Sequence, residues 1–204
     1  MLKLKNVSHH RWLRNDKEIM ADKELAIEKQ RKVEQLQESV LKLLHFYLDS
    51  EEIPPNQGFK NKDLERKMID IGWKPGMQWC ALFGEMIWTE AYLDVYGRIP
   101  EEFPKLFSAN SQQTFKNFIK AGWSTSDDQP TPGCLVVWRE DKKGSVAGHV
   151  DLCEVTDVYN PATKLPVRMK VIGGNVSDGV RRKTKYSDKH GSYKLLGFVH
   201  LEAL

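Results

Sequence analysis

The chain has 204 residues, 40% hydrophobic and 29% charged, the balance expected of a water-soluble globular protein of one domain or one domain with an extension. Its 31 basic and 28 acidic residues leave a net charge of +3, too even to suggest a nucleic-acid-binding face. No apolar run approaches the ~18 residues a membrane span needs, so no membrane insertion is expected.

Met1-Leu-Lys-Leu-Lys5 has neither the apolar core nor the cleavage site of a secretory signal. The chain is therefore expected to be made in the cytoplasm and delivered if its substrate lies outside. Residues 15–49 read as one long helix. Its first half is mostly Lys, Glu, Asp and Gln, and from Val33 onward apolar residues recur at three- and four-residue steps. Residues 1–40 accordingly read as a charged helical extension and 41–204 as the folded domain. The extension is a solvated helix or a docking arm for a partner such as a delivery or immunity protein.

Glu51-Glu-Ile-Pro-Pro-Asn-Gln-Gly58 is turn chemistry that stops the helix. A short helix is predicted over Asp63–Ile71, a longer one over Cys80–Val95 and another over Ser111–Ala121. After Pro132-Gly133 the period changes to that of strands, predicted at Cys134–Trp138, His149–Val158, Val167–Ile172, Val180–Tyr186 and Leu195–Leu201. Helices followed by a strand cluster predict an α+β fold, with helices packed on a five- to six-stranded antiparallel sheet.

The chain holds three cysteines, Cys80, Cys134 and Cys153. An odd, widely spaced set argues against a disulfide framework, and no Cys-x-x-Cys or His-x-x-x-His pair exists to suggest a metal. No metal or organic cofactor is expected. Cys134 and Cys153 read as buried strand residues. Cys80 begins a predicted helix, where free N–H groups and a partial positive charge favour the thiolate and can stabilise an oxyanion. A free cysteine also serves as plain core packing, so this placement alone leaves both roles open.

His149 opens a strand on which His149, Asp151 and Cys153 share one face and Val150 and Leu152 the other. There it suits a general base, or a structural hydrogen bond. If strands 149–158 and 167–174 form a hairpin, Asn175 returns to the His149 end. It can then orient the imidazole, or simply serve the Gly173-Gly-Asn175 turn. Asp151, on the same face as His149, competes for the orienting role. Gln78 is a candidate oxyanion donor or a turn residue. Trp79 and Trp138 are candidate walls of a substrate cleft, or core. His9, His10, His45, His190 and His200 read as surface or structural. The run Arg181-Arg-Lys-Thr-Lys185 reads as a solvated strand face or a contact for an anionic polymer.

These segments together resemble the CHAP and NlpC-type papain-like cysteine hydrolases. Gly76-Met-Gln-Trp-Cys-Ala-Leu-Phe83 resembles the nucleophile segment of that family. Pro132-Gly-Cys-Leu-Val-Val-Trp138 and Gly148-His-Val-Asp-Leu-Cys153 resemble two of its strands. Gly173-Gly-Asn-Val-Ser-Asp-Gly-Val180 is similar to the turn carrying its polar third residue, and Glu52-Ile-Pro-Pro-Asn-Gln-Gly58 to an upstream element. The resemblance runs in family order from about residue 40 to the end. It departs in three places: Cys134 stands where Asp is common, Asp151 where a small residue is usual, and Gly173 where many members carry Glu.

The resemblance implies a papain-like fold that hydrolyses amide bonds of bacterial peptidoglycan as an amidase or endopeptidase engaging the stem peptide, with Cys80 as nucleophile, His149 as base and Asn175 as orienting residue. Relatives of this kind include phage lysins, prophage products and delivered toxins. The same Cys–His chemistry also serves enzymes acting on proteins, as deamidases or transferases. A wall-binding component of a phage or secretion apparatus could keep the fold without the activity.

Overall fold

The protein is described from a computed structural model that covers residues 16–127, 129–156, 168–188 and 191–204, with side chains from residue 18. Helix α1 (Asp16–Tyr47) buries Leu36, Val40, Leu44 and Tyr47, at steps of four, four and three residues. Ile19, Met20, Leu25 and Ile27 on its outer half stay exposed, as the charged composition there implies. The helix thus joins the core at Leu36, just ahead of the boundary drawn at residue 40.

The Pro-Pro turn that follows is a small hairpin, β1 (Glu52–Ile53) against β2 (Gly58–Phe59), which period alone does not show. Helix α2 (Lys62–Asp70) starts because Asn61 Oδ1 accepts from the Asp63 and Leu64 N–H groups, both at 3.1 Å, and it buries Leu64 and Met68. Helix α3 (Cys80–Tyr96) is the central helix. Ten of its 17 residues are buried, because α1 and α2 flank it and the sheet packs against it. It stops at Gly97, which takes the left-handed conformation of a helix terminus.

A one-turn helix, α4 (Phe103–Leu106), and then α5 (Ser111–Ala121), capped by Asn110, complete the helical layer. Trp88 of α3 is enclosed there by Phe103, Phe107, Phe118 and Trp123, with ring centroids 5.7–6.2 Å away.

The strands are β3 (Thr125–Ser126), β4 (Leu135–Glu140), β5 (Gly148–Thr156), β6 (Arg168–Gly173), β7 (Arg181–Tyr186) and β8 (Tyr193–Val199). They form one antiparallel six-stranded sheet in the order β3-β8-β4-β5-β6-β7. The α+β architecture with a long N-terminal helix therefore holds. Val158 and Val167, at the predicted strand ends, lie outside the described residues.

Alternation sorts the sheet's two faces. Leu135, Val137, Val150, Leu152, Ile172 and Val199 face the helices. Cys134, Val136, Trp138, Cys153, Met169, Val171 and Phe198 form a second, smaller core on the other face. No helix among the described residues is long and apolar enough to cross a membrane.

Candidate active site

Cys80 is the first residue of α3. Its predecessor Trp79 provides no side-chain cap, and the first turn holds no acidic residue, so the opening N–H groups keep their positive end for a ligand. Trp79 fixes the entry. It is fully buried, its indole N–H donates to Glu52 Oε2 at 2.5 Å, and its ring meets Phe59 edge-on at 4.8 Å. Trp79 is therefore an anchor rather than a substrate contact, which corrects the expectation from sequence. Cys80 itself retains 6% exposure.

His149 comes from the sheet. In the β4–β5 register His149 lies opposite Trp138 and Asp151 opposite Val136. Gly148 brings the strand in tightly, since a Cβ there would overlap the Trp138 carbonyl oxygen and sit 2.5 Å from Ser111 Oγ. His149 Nε2 and Asp151 Oδ1 are 3.0 Å apart. With Nε2 engaged by Asp151, Nδ1 is the nitrogen left for Cys80, whose thiol the imidazole holds below its ordinary value.

Asp151 is completely buried and takes two further donors on Oδ2: Lys185 Nζ at 2.5 Å and Trp138 Nε1 at 2.8 Å. Lys185 is 3% exposed and also lies 5.0 Å above the Trp138 ring. Trp138 is thus part of the carboxylate's cage and no wall of the cleft, a second correction.

Asn175 does return to the His149 end, as the hairpin argument requires. It does not orient the imidazole: its Nδ2 donates to Gln78 Oε1 at 2.6 Å, and the orienting carboxylate is Asp151. The physical reason lies in Gly173. A Cβ at that position would overlap Asp151 Oδ1 and come within 3.1 Å of His149 Nε2, so the bare glycine makes room for the carboxylate from the neighbouring strand. Gly174 likewise admits Trp79 and Phe83, which a Cβ would meet at 2.5 and 2.7 Å. With its carbonyl oxygen occupied by Asn175, Gln78 keeps its amide N–H group as the donor.

Each charge is displaced from its ordinary state in a consistent direction. Burial works against the Cys80 thiolate, but the hydrogen bond and charge of His149, with the Val150 backbone N–H, hold the thiol below its usual value. Burial also works against the imidazolium, yet the charge and hydrogen bond of Asp151, aided by Cys80, raise His149 to about 10. Asp151 is opposed by burial and held far below the carboxylate range by His149 and Lys185. The two shifts, thiol down and imidazole up, both act toward a thiolate–imidazolium pair.

Comparison with protein-family models, curated proteins and solved structures finds no match to this chain.

The turn carrying Asn175 is braced from the N-terminal side. Glu52 N–H donates to the Asp178 carbonyl at 2.9 Å, Asp49 N–H to the Val180 carbonyl at 3.0 Å, and Val180 N–H to the Ser50 carbonyl at 2.8 Å. The Glu52–Gly58 element therefore supports both Cys80, through Trp79, and the Asn175 turn. A cleft of about 250 Å³ opens beside His149, walled by Asn175, Ser177, Lys183, Lys185 and Tyr193.

Cys134 and Cys153 are free and fully buried on the sheet's second face. His45 pairs with Glu154, while His200 lies between Ser126 Oγ and Thr131 Oγ1. His9, His10 and His190 lie outside the described residues. Sequence reasoning missed Lys185 as a member of the site. Nothing in a basic run marks which lysine turns inward.

Proposed function

We propose that the chain is a papain-like cysteine hydrolase of the CHAP/NlpC type that cleaves amide bonds of bacterial peptidoglycan. The observation that carries the hydrolase reading is Cys80 at the N-terminus of a buried helix, its thiol held below the ordinary value by His149, whose imidazole Nε2 lies 3.0 Å from Asp151 Oδ1. The wall substrate rests on the motif resemblance from Glu52 to Val180.

The Cys80 thiolate attacks the carbonyl carbon. A C–S bond forms and the carbonyl electrons move to oxygen. That oxyanion is held by the Cys80 backbone N–H and the Gln78 amide. As the C–N bond breaks, His149 Nδ1–H gives its proton to the leaving amine. Water then attacks the thioester and yields one proton to Nδ1; the C–S bond breaks as the thiolate re-forms, and the carboxylic acid product leaves and loses its remaining proton to solvent. Asp151 stays ionised throughout and holds the ring through Nε2. Trp79 and Trp138 take no part in the chemistry. No cofactor enters the mechanism.

In this reading the enzyme is made in the cytoplasm and acts at the cell wall once delivered. The exposed outer half of α1 is the docking arm for a delivery or immunity protein.

The test is mass-spectrometric detection of soluble fragments released from purified peptidoglycan, with Cys80→Ala as control. Release that disappears in the variant supports the reading, and the fragment masses name the bond. No release from several wall types, by protein whose thiol is intact, would refute the wall substrate.

A further inference from the structure

β7 carries four cations in six residues, and three of them are spoken for. Arg182 holds Glu154 through two hydrogen bonds of 2.6 and 2.7 Å. Arg181 lies 3.8 Å from Asp49 and donates to the Ser50 carbonyl. Lys185 is buried against Asp151. Lys183 is exposed and has no acidic partner among the described residues.

Its place on the strand is specific. Lys183 pairs in register with Val171 and Lys185 with Met169, so both lysines stand on the face that carries His149 and Asp151. Lys183 consequently lines the cleft beside His149, and among the described residues no acidic side chain lines that cleft. Asp151 is already engaged by His149 on one oxygen and by Lys185 on the other. Lys183 supplies the unbalanced charge, and the Ser177 and Tyr193 hydroxyls beside it are available as donors.

We propose that Lys183 is a substrate-reading residue, and that the cleft takes an amide substrate bearing a carboxylate close to the bond that Cys80 attacks. This rests on Cys80 being the nucleophile. The lysine attracts the carboxylate, and the hydroxyls complete its hydrogen bonds. Substrates whose carboxylate is blocked or absent bind less well, with the chemical step itself unaltered.

The test compares alkylation of Cys80 by iodoacetate and by iodoacetamide. In both reactions an S–C bond forms and iodide leaves, but one reagent carries a carboxylate and the other is neutral. Rates are read by intact mass, with Cys80→Ser defining the background. At low ionic strength the iodoacetate-to-iodoacetamide rate ratio should fall about threefold in Lys183→Gln and about tenfold in Lys183→Glu, and salt should shrink both effects. Both variants change an exposed side chain, so the fold is kept.

A ratio indifferent to residue 183, with Cys80 still fast, overturns this proposal alone. A Cys80 no more reactive than a free thiol overturns the nucleophile reading and this one with it. On purified peptidoglycan, amidating the wall carboxylates should slow release by the unaltered protein and leave Lys183→Gln unaffected. Equal slowing of the two also overturns the proposal.

Discussion

Gly173→Ala isolates the contact between the two strands that build the base. The added Cβ would overlap Asp151 Oδ1 and stand 3.1 Å from His149 Nε2. A carbon–oxygen contact needs about 3.3 Å, so the carboxylate must retreat by roughly 1 Å. Its bond to His149, now 3.0 Å, would stretch beyond hydrogen-bonding range. A charge-assisted hydrogen bond contributes about 1.5–3 kcal/mol, so the thiolate–imidazolium pair should be depleted about 10- to 100-fold at neutral pH.

The backbone at Gly173 is outside the left-handed region, so alanine adds no conformational strain there. The assay is the rate of Cys80 alkylation by iodoacetamide between pH 4 and 10, with a thermal melt as control. In the unaltered protein the rate rises with pH through the lowered Cys80 pKa, and the ion pair persists until His149 loses its proton near 10. The variant should react about tenfold or more slowly near pH 6.5, with a narrowed plateau and a near-normal melt. Superimposable profiles would refute the assignment of Asp151 as the orienting group.

Two further outcomes follow from buried charge. Asp151→Asn leaves the Lys185 ammonium buried without its counter-ion and should cost about 3–5 kcal/mol in urea unfolding. Lys185→Met in that background should restore most of the loss, and a loss below about 1 kcal/mol would show that the pair is not closed to water. Glu85 has no hydrogen-bonding partner among the described residues, and burial raises its carboxyl to about 7. Its folded pKa exceeds the ordinary 4.5, so ionisation penalises the folded state increasingly as pH rises from about 4.5 through 7. Glu85→Gln should therefore leave the melt unchanged at pH 4 and stabilise by about 1 kcal/mol at pH 8, allowing for partial exposure. A gain that does not vary with pH would contradict this.

Much of the fold was legible because the chain punctuates itself. Ser111–Ala121 is the predicted helix to the residue, since Asn110 and Gly122 cap its two ends. The long strands were found within a residue or two by alternation. The two-residue strands β1, β2 and β3 and the one-turn α4 were not, because such pieces are too short to carry a period.

The site divides in the same way. Cys80, His149 and Asp151 could be read because a helix start and one face of a strand are local properties. For Trp79 and Trp138 the choice between cleft wall and core stayed open, because a tryptophan's type does not tell which way its ring turns. Here both indole N–H groups satisfy buried carboxylates, Glu52 and Asp151. Asn175 was carried to the correct end of the hairpin, but its partner depended on which side chain reached Nε2 first. That was settled by the missing Cβ at Gly173, on the adjacent strand.

The sheet is open, and its two margins are guarded differently. β3 is only two residues long, too little to template another strand. β7 is six residues long and, among the described residues, pairs with β6 alone, so its other side presents unsatisfied backbone donors and acceptors. Four of its six side chains are cationic. Three of those cations are engaged by Asp49, Glu154 and Asp151, so the charge that guards the margin is Lys183: a second copy laid antiparallel in register at residue 183 would bring two such lysines to within roughly 5 Å of one another. The repulsion keeps the ladder from continuing into a neighbour. Because the guard is electrostatic, it weakens as the Debye length shrinks from about 10 Å at 0.1 M salt to about 3 Å at 1 M. Edge-to-edge self-association of this protein is therefore promoted by salt, and by any polyanion that lies along β7.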